Sequence, residues 1–315
     1  MNTKMNDDLL VGNVGKVISI ISKKSPLQRK KLVQYIKAKD KLFITDFEKF
    51  LTDYDGYLAT EKLRIEYAID SYLKMCDDMV KSQIYFMKTG KYPLSDEEQA
   101  FHKVYDNDNE MKSFMIGLAL SQFLWSTHYQ MYKYFVRSIK TYSHSILNYL
   151  EIGPGHGLFL KEAIKILGKD ASYTAVDISK TSLGISQSII KHFFGKNIKA
   201  EFINKNMLDL NINIKYDFIG MGEVLEHVNQ PEALLSKYKS LLTPSGIGFI
   251  STCVDCPTID HVYHFKSVDE IRTTIFNSGL NIIDEKVLPV ESLPMSEIIK
   301  KKITINYCAI IKRKN

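Results

Sequence analysis

The chain has 315 residues, 45% of them hydrophobic and 25% charged, with a formal net charge of +6 and four cysteines. That is enough apolar material for one large core or two ordinary ones, and too few cysteines for a disulfide scaffold. No apolar run approaches the roughly 20 residues that a membrane span needs. The start, Met1 to Leu10, is polar and lacks a signal-peptide pattern. A cytoplasmic protein without a membrane partner is expected. The basic residues are scattered apart from two small clusters, Arg29-Lys30-Lys31 and Lys300-Lys301-Lys302, which argues for solvated lysine faces rather than a nucleic-acid surface.

Before residue 145 the apolar spacing is helical and Gly and Pro are rare. Val17 to Ile21 and Leu32 to Ile36 read as two short helices broken at Ser25-Pro26, with Pro26 opening the second. A long helix is expected from about Leu58 to Met87, ending at Thr89-Gly90 with Pro93 beyond. A helix pair follows from about Met111 to Tyr142. After residue 145 the rhythm becomes strand, turn, helix. Strands are expected at Ile146–Ile152, Tyr173–Asp177, Ala200–Ile203, Tyr216–Met221 and Gly246–Cys253. Helices are expected at Phe159–Leu167, Ser182–Phe194, Pro231–Leu242 and Val268–Ser278. Leu280–Val290 and Ile303–Lys312 would close the sheet as a final pair.

This alternation predicts an α/β fold with a doubly wound, mostly parallel seven-stranded sheet whose last strand is antiparallel, behind an α-helical N-terminal domain. The expected division is residues 1–142, a helical lid, substrate or dimerisation domain, and residues 143–315, a Rossmann-like domain. A homodimer through the helical part is a possible partner arrangement.

The most informative stretch is Tyr149-Leu-Glu-Ile-Gly-Pro-Gly-His-Gly-Leu158. A strand runs into Gly153, Gly155 and Gly157 and a helix follows, the crevice in which doubly wound folds bind nucleotide cofactors. The dinucleotide pattern G-x-G-x-x-G would need glycine at Leu158 or Leu160 and lacks it. Glu151, two residues before the first glycine, would repel a pyrophosphate but attract a sulfonium and an α-ammonium. Asp177, at the end of the second strand, can accept both ribose hydroxyls, or simply cap a turn.

Tyr149 to Gly157 resembles the first motif of class I S-adenosylmethionine-dependent methyltransferases. Asp217-Phe-Ile-Gly-Met-Gly-Glu-Val-Leu-Glu-His-Val228 resembles the fourth motif of small-molecule members, including the ubiquinone-biosynthesis O-methyltransferases. The resemblance implies S-adenosyl-L-methionine as cofactor and S-adenosyl-L-homocysteine as product. It places Glu151, Gly153, Gly155 and Gly157 at the methionine end and Asp177 and Ile178 at the ribose. Asn206 and Met207 fall where the family usually has an acidic adenine partner, a departure that leaves Asp209 as an alternative. Gly222 completes the expected cofactor contacts.

Glu223, Glu226 and His227 have i, i+3, i+4 spacing, which one helical turn could gather. His227 is read as a general base or substrate contact. The alternatives are a helix cap with a packed histidine, or a divalent cation held by all three, as the resemblance implies. After the fifth strand, Cys253 and Cys256 with His261 and His264 have zinc-ligand chemistry, although the gap from Cys256 to His261 is short for a finger. The preferred reading puts His261, Tyr263 and His264 along the acceptor pocket, with His261 the second catalytic candidate. In the helical front, His128 and Tyr129, close to Trp125, are candidates for an acceptor wall; aromatic core is the plainer reading.

The function expected from these residues is O-methylation of a small-molecule acceptor in secondary metabolism, with His-assisted deprotonation. N- or C-methylation, methylation of RNA, a nucleotide-dependent oxidoreductase and a binding module that has lost catalysis are the competing readings.

Overall fold

The computed structural model describes residues 12–94 and 96–314, apart from the side chain of Lys103; the polar start at Met1–Leu10 lies outside them. Helix α1 spans Gly12–Lys24 and α2 Pro26–Lys37, with Pro26 in its first turn as the sequence predicts. α3, Lys41–Thr60, is a helix that the apolar spacing does not single out; Asp40 caps it by accepting from the Phe43 amide at 2.8 Å. α4 runs from Ile65 to Thr89 and stops at Gly90, which is left-handed with φ 69. The expected single helix from Leu58 to Met87 is therefore two. The break falls at Lys62, whose φ of 59 turns the chain without a glycine to announce it.

α5, Glu97–Ala100, continues into one π-helical turn, Phe101–Tyr105. α6, Asp108–Leu124, and α7, Ser126–Tyr142, meet at an extended Trp125. At Gly117 a Cβ would lie 2.6 Å from the Ser71 backbone, so α6 and α4 touch backbone to backbone there.

The sheet contains β1 (Asn148–Ile152), β2 (Ser172–Asp177), β3 (Ala200–Asn204), β4 (Tyr216–Gly222), β5 (Leu242–Val254), β6 (Leu280–Pro289) and β7 (Ile305–Arg313). Between them run α8 (Leu158–Leu167), α9 (Lys180–Phe194), α10 (Pro231–Leu241), α11 (Val268–Asn277) and α12 (Met295–Lys300). The order is β3-β2-β1-β4-β5-β7-β6. β1 to β5 pair in parallel, and β7 enters antiparallel between β5 and β6. This is the predicted class, with the strand order reversing between β1 and β4, where open α/β sheets bind ligands.

Period-two alternation sorts the strands' residues onto two cores. Tyr149, Phe218 and Phe249 face α6 to α9 and the front helices, while Leu150, Ile219 and Ile250 face α10 and α11. The front helices and one sheet face thus share a continuous core. Phe135 on α7 is fully buried and stacks on Phe159 at 4.5 Å. Burial of such a ring contributes about 1.5–3 kcal/mol. It fixes α7 so that His128, two turns earlier, reaches the carboxyl edge of the strands.

Candidate active site

The carboxyl ends of β1, β2 and β4 open into one cavity, roofed by residues of α4, α6 and α7 such as Met75, Met115 and His128. The loop after β1 forms its floor. Gly153, Gly155 and Gly157 all have positive φ, at 62, 53 and 72. A Cβ on Gly153 would sit 2.7 Å from Val224 Cγ2, and one on Gly157 2.9 Å from the Ser186 Cα. Gly153 lines the cavity; Gly155 and Gly157 instead press the loop onto α9, where the Gly155 carbonyl accepts from Ser186 Oγ at 2.8 Å.

Two carboxylates face the cavity from β1 and β2. Glu151 is buried, hydrogen-bonded to the Tyr149 hydroxyl, and burial pushes its pKa up to about 8. Asp177 accepts from the Ser179 amide and the Ser182 hydroxyl, each at 2.8 Å. Burial raises it to about 6 against those hydrogen bonds. Two imidazoles join them. Burial lowers His128 to about 3, with His156 adding to the effect, and His156 itself to about 4. Both are therefore neutral and leave this end free of positive side-chain charge from the glycine loop and roof.

At the end of β4, Glu223 adopts φ 52, and its amide donates to the Ser251 carbonyl at 3.0 Å. Its Oε1 is buried without a hydrogen-bond partner, and burial followed by Glu226 raises its pKa well above the usual range. Leu225–His227 form only a short 3-10 turn. His227 Nδ1 lies 2.8 Å from the Tyr105 hydroxyl, 3.1 Å from the Asp260 carbonyl and 3.5 Å from Asp260 Oδ2. Asp260 is buried, which opposes ionisation, but His227, His261, Thr258 and Tyr105 hold it below its ordinary value. A buried carboxylate thus fixes the imidazole, and Tyr105 bridges the two, donating to Asp260 Oδ2 at 3.2 Å.

Beside this group the loop after β5 brings together Cys253, Cys256 and His261, all buried, with one donor atom of each within 4.8 Å of the others. His261 Nδ1 is 2.6 Å from the Cys256 carbonyl and Nε2 4.0 Å from Glu226 Oε1. Burial lowers its pKa, but Cys256, Glu226 and Asp260 outweigh this and raise it to about 10.

Residues 122–278 match the family model of a methyltransferase domain. The fold agrees with that of the N-methyltransferase NodS from Bradyrhizobium japonicum WM9, with a TM-score of 0.50 at 15% identity over 70% of this chain and 99% of that one. It also agrees with the mitomycin 7-O-methyltransferase MmcR, with a TM-score of 0.52 at 11% identity over 75% and 67% of the two chains. The chain belongs to the class I S-adenosylmethionine-dependent methyltransferases. A ubiquinone biosynthesis O-methyltransferase of Paraburkholderia phytofirmans is 35% identical over 103 residues, 33% of this methyltransferase and 43% of the relative's length. One from Bartonella bacilliformis is 23% identical over 190 residues, 53% of this chain and 73% of the relative.

Several of the residues expected from the sequence converge on the methyltransferase cavity. Glu151, Gly153, Asp177, Ile178, Asn206, Met207, Gly222, Glu223, His128, His227 and His261 all line it. Asn206 also caps the short turn after it, accepting from the Leu208 amide at 2.9 Å. Besides Gly155 and Gly157, three further candidates, Tyr129, Tyr263 and His264, do not line it. Tyr129 lies about 100° around α7 from His128 and packs edge-on to Phe43 at 4.7 Å in the helical core. Tyr263 packs on Phe265 at 4.6 Å and donates to Glu270 at 3.2 Å. His264 bonds Asp255 at 2.6 Å and sits against Tyr92 and Phe86, which also removes it from the Cys253–Cys256–His261 group.

The expected trio of Glu223, Glu226 and His227 is divided. With Glu223 left-handed and only a 3-10 turn behind it, Glu226 groups with His227 and His261 on one side and with Glu223 and Cys253 on the other. Against its burial, His261 stands beside Cys256, Glu226 and Asp260, which raise its pKa to about 10. Tyr105, Asp260 and His156 are site residues that sequence reasoning missed. Asp260 stood next to His261 in plain sight, whereas Tyr105 sits in a π-helical turn with no sequence signal.

Proposed function

We propose that this methyltransferase moves the methyl group of S-adenosylmethionine onto a hydroxyl oxygen of a small-molecule acceptor, with His227 as the base. The observation that carries this reading is the Tyr105–His227–Asp260 arrangement at the carboxyl end of β4, in the same cavity as the glycine loop. Glu151 and Gly153 receive the methionine end, Asp177 and Ile178 the ribose, and Asn206 and Met207 the adenine. Unpartnered Glu223 Oε1 and neutral His128 and His156 suit a ligand that brings donors and positive charge.

The acceptor oxygen attacks the methyl carbon, the carbon–sulfur bond breaks, and sulfur keeps the electron pair. The acceptor proton passes to His227 Nε2, the ring nitrogen opposite the one fixed by Tyr105 and Asp260. The chain supplies alignment and exclusion of water, effects worth up to about 7–11 kcal/mol in well-oriented reactions. The curated relatives serve, by their names, ubiquinone biosynthesis rather than secondary metabolism. Met75, Met79, Phe114 and Trp125 wall the acceptor side with apolar and polarisable surface. Both features support a hydroxylated aromatic ring with an apolar substituent.

The test is acceptor-dependent formation of S-adenosylhomocysteine over a panel of phenols, catechols, carboxylic acids and amines. Turnover of a phenol or catechol, lost in His227→Ala with cofactor affinity retained, supports the reading. Turnover of amines alone, or turnover that survives His227→Ala, overturns it.

A further inference from the structure

Methyl transfer to a hydroxyl gives no work to the two buried thiols at the end of β5. We propose that Cys253, Cys256 and His261 form a zinc site whose fourth position opens on the acceptor end of the cavity. The chemical types fit first. Two thiolates and an imidazole are the donors that zinc prefers, and thiolate selects against the hard cations that carboxylates and water would hold. With zinc–sulfur and zinc–nitrogen bonds of about 2.3 and 2.0 Å, tetrahedral donors stand about 3.3–3.8 Å apart. Cys253 Sγ and His261 Nδ1 are 3.8 Å apart, and one donor from each of the three residues falls within 4.8 Å of the rest.

The turn between the two cysteines is built to stay in place. Asp255 holds a left-handed φ of 48, which brings Cys256 back toward Cys253. Its amide donates to the Phe265 carbonyl at 3.2 Å, its carbonyl accepts from Thr304 at 2.8 Å, and its carboxylate is bound by His264 at 2.6 Å. The Cys256 amide donates to the Tyr92 hydroxyl at 2.8 Å. The Cys256 carbonyl, 2.6 Å from His261 Nδ1, holds the imidazole beside the two thiols, and this nitrogen turns from the carbonyl to the metal on binding. A strained turn fastened from three separate segments, at Tyr92, His264–Phe265 and Thr304, is more than a strand end requires.

Three protein ligands with a fourth position facing a cavity is the pattern of zinc sites that bind a substrate atom. Cys256 and His261 line the cavity, and Glu226 Oε1 stands 4.0 Å from both Cys253 Sγ and His261 Nε2. The open position would take the heteroatom of the acceptor as its anion, a role that rests on the methyl-transfer reading above; the metal site itself does not.

The test uses the full chain under reducing conditions and titrates it with cobalt(II) alone, then zinc alone. One equivalent of cobalt per chain should give the intense near-ultraviolet thiolate-to-cobalt band and the visible bands of a tetrahedral ion, and one equivalent of zinc should abolish both. Zinc should also raise the melting temperature. Cys253→Ser with Cys256→Ser, and His261→Ala, should lose the band and the thermal shift. A chain with Cys76→Ala and Cys308→Ala, the two cysteines outside the cluster, should keep them. Calorimetry with S-adenosylhomocysteine shows that each variant is folded and reports separately on the cofactor end, so failure of the methyltransferase reading and failure of the metal site are distinguishable. Absence of a thiolate band in the parent chain, or a band that persists without Cys253 and Cys256, overturns the proposal.

Discussion

Asp260 and His227 come from loops 33 positions apart, yet the Asp260 carbonyl and carboxylate lie 3.1 and 3.5 Å from the same imidazole nitrogen, Nδ1. A buried carboxylate held in its ionised form beside one ring nitrogen leaves the other as the basic one. Asp260→Asn keeps the shape and removes the charge. The expected outcome is a fall in kcat of roughly 10²–10⁴-fold, the range for a lost general base, with the dissociation constant for S-adenosylhomocysteine within about threefold of the parent. Steady-state kinetics paired with calorimetry decides it.

Tyr105 bridges His227 and Asp260, and its hydroxyl is the only polar atom of the side chain. Tyr105→Phe should lower kcat by about 10-fold, since one hydrogen bond to a charged group contributes roughly 1.5–3 kcal/mol and part of that is recovered by the Asp260 carbonyl. A Tyr105→Phe chain as active as the parent would remove this residue from the site.

Glu151 carries a proton in the empty cavity at pH 7, because burial raises its pKa to about 8. A cationic ligand favours the carboxylate, so binding S-adenosylmethionine should release a proton. In buffers of different ionisation enthalpy, the observed binding enthalpy at pH 7 should vary with the buffer in the parent chain and not in Glu151→Gln. The same shift has a consequence for stability. A group whose folded pKa is raised from 4.5 to about 8 contributes stability that is complete below pH 4.5 and is lost as pH rises through 8. Glu151→Gln should therefore melt higher than the parent above pH 8 while binding the cofactor more weakly.

Gly157 has φ 72 and no room for a Cβ against the Ser186 backbone at 2.9 Å. Gly157→Ala should cost about 1–2 kcal/mol from the left-handed conformation alone, plus the displacement of the loop from α9. Both the melting temperature and the affinity for S-adenosylhomocysteine should fall, even though Gly157 does not line the cavity. Unchanged cofactor binding would mean that the loop tolerates the shift.

The order of strands and helices after residue 145 was legible because local chemistry announces it. Apolar runs of strand length end in Gly153, Asp177 and Gly222, and Pro231 starts α10 where proline fits. The break between α3 and α4 was not legible, since Lys62 takes a left-handed φ that its own side chain does not favour and that only the surrounding packing imposes. Side-chain direction was equally hidden at Tyr129: its neighbour His128 reaches the cavity, and one residue along a helix turns a side chain from the cavity into the helical core. The cavity-facing carboxylates and His227 could be named from their motifs. Tyr105 could not, because its role depends on a π-helical turn meeting loops about 120 and 155 residues away in sequence.

The most direct test of the account is titration of the chain with S-adenosylhomocysteine, repeated on Asp177→Ala. Asp177 lies at the end of β2 and lines the cavity, and its carboxylate, which accepts from Ser179 and Ser182, keeps acceptor capacity for a ligand hydroxyl. Micromolar binding to the parent and a loss of at least about 10-fold in the variant, from the ribose hydrogen bonds, is the predicted result. A parent chain that does not bind S-adenosylhomocysteine, or a variant that binds it equally well, would contradict the assignment of this cavity to the methyl donor.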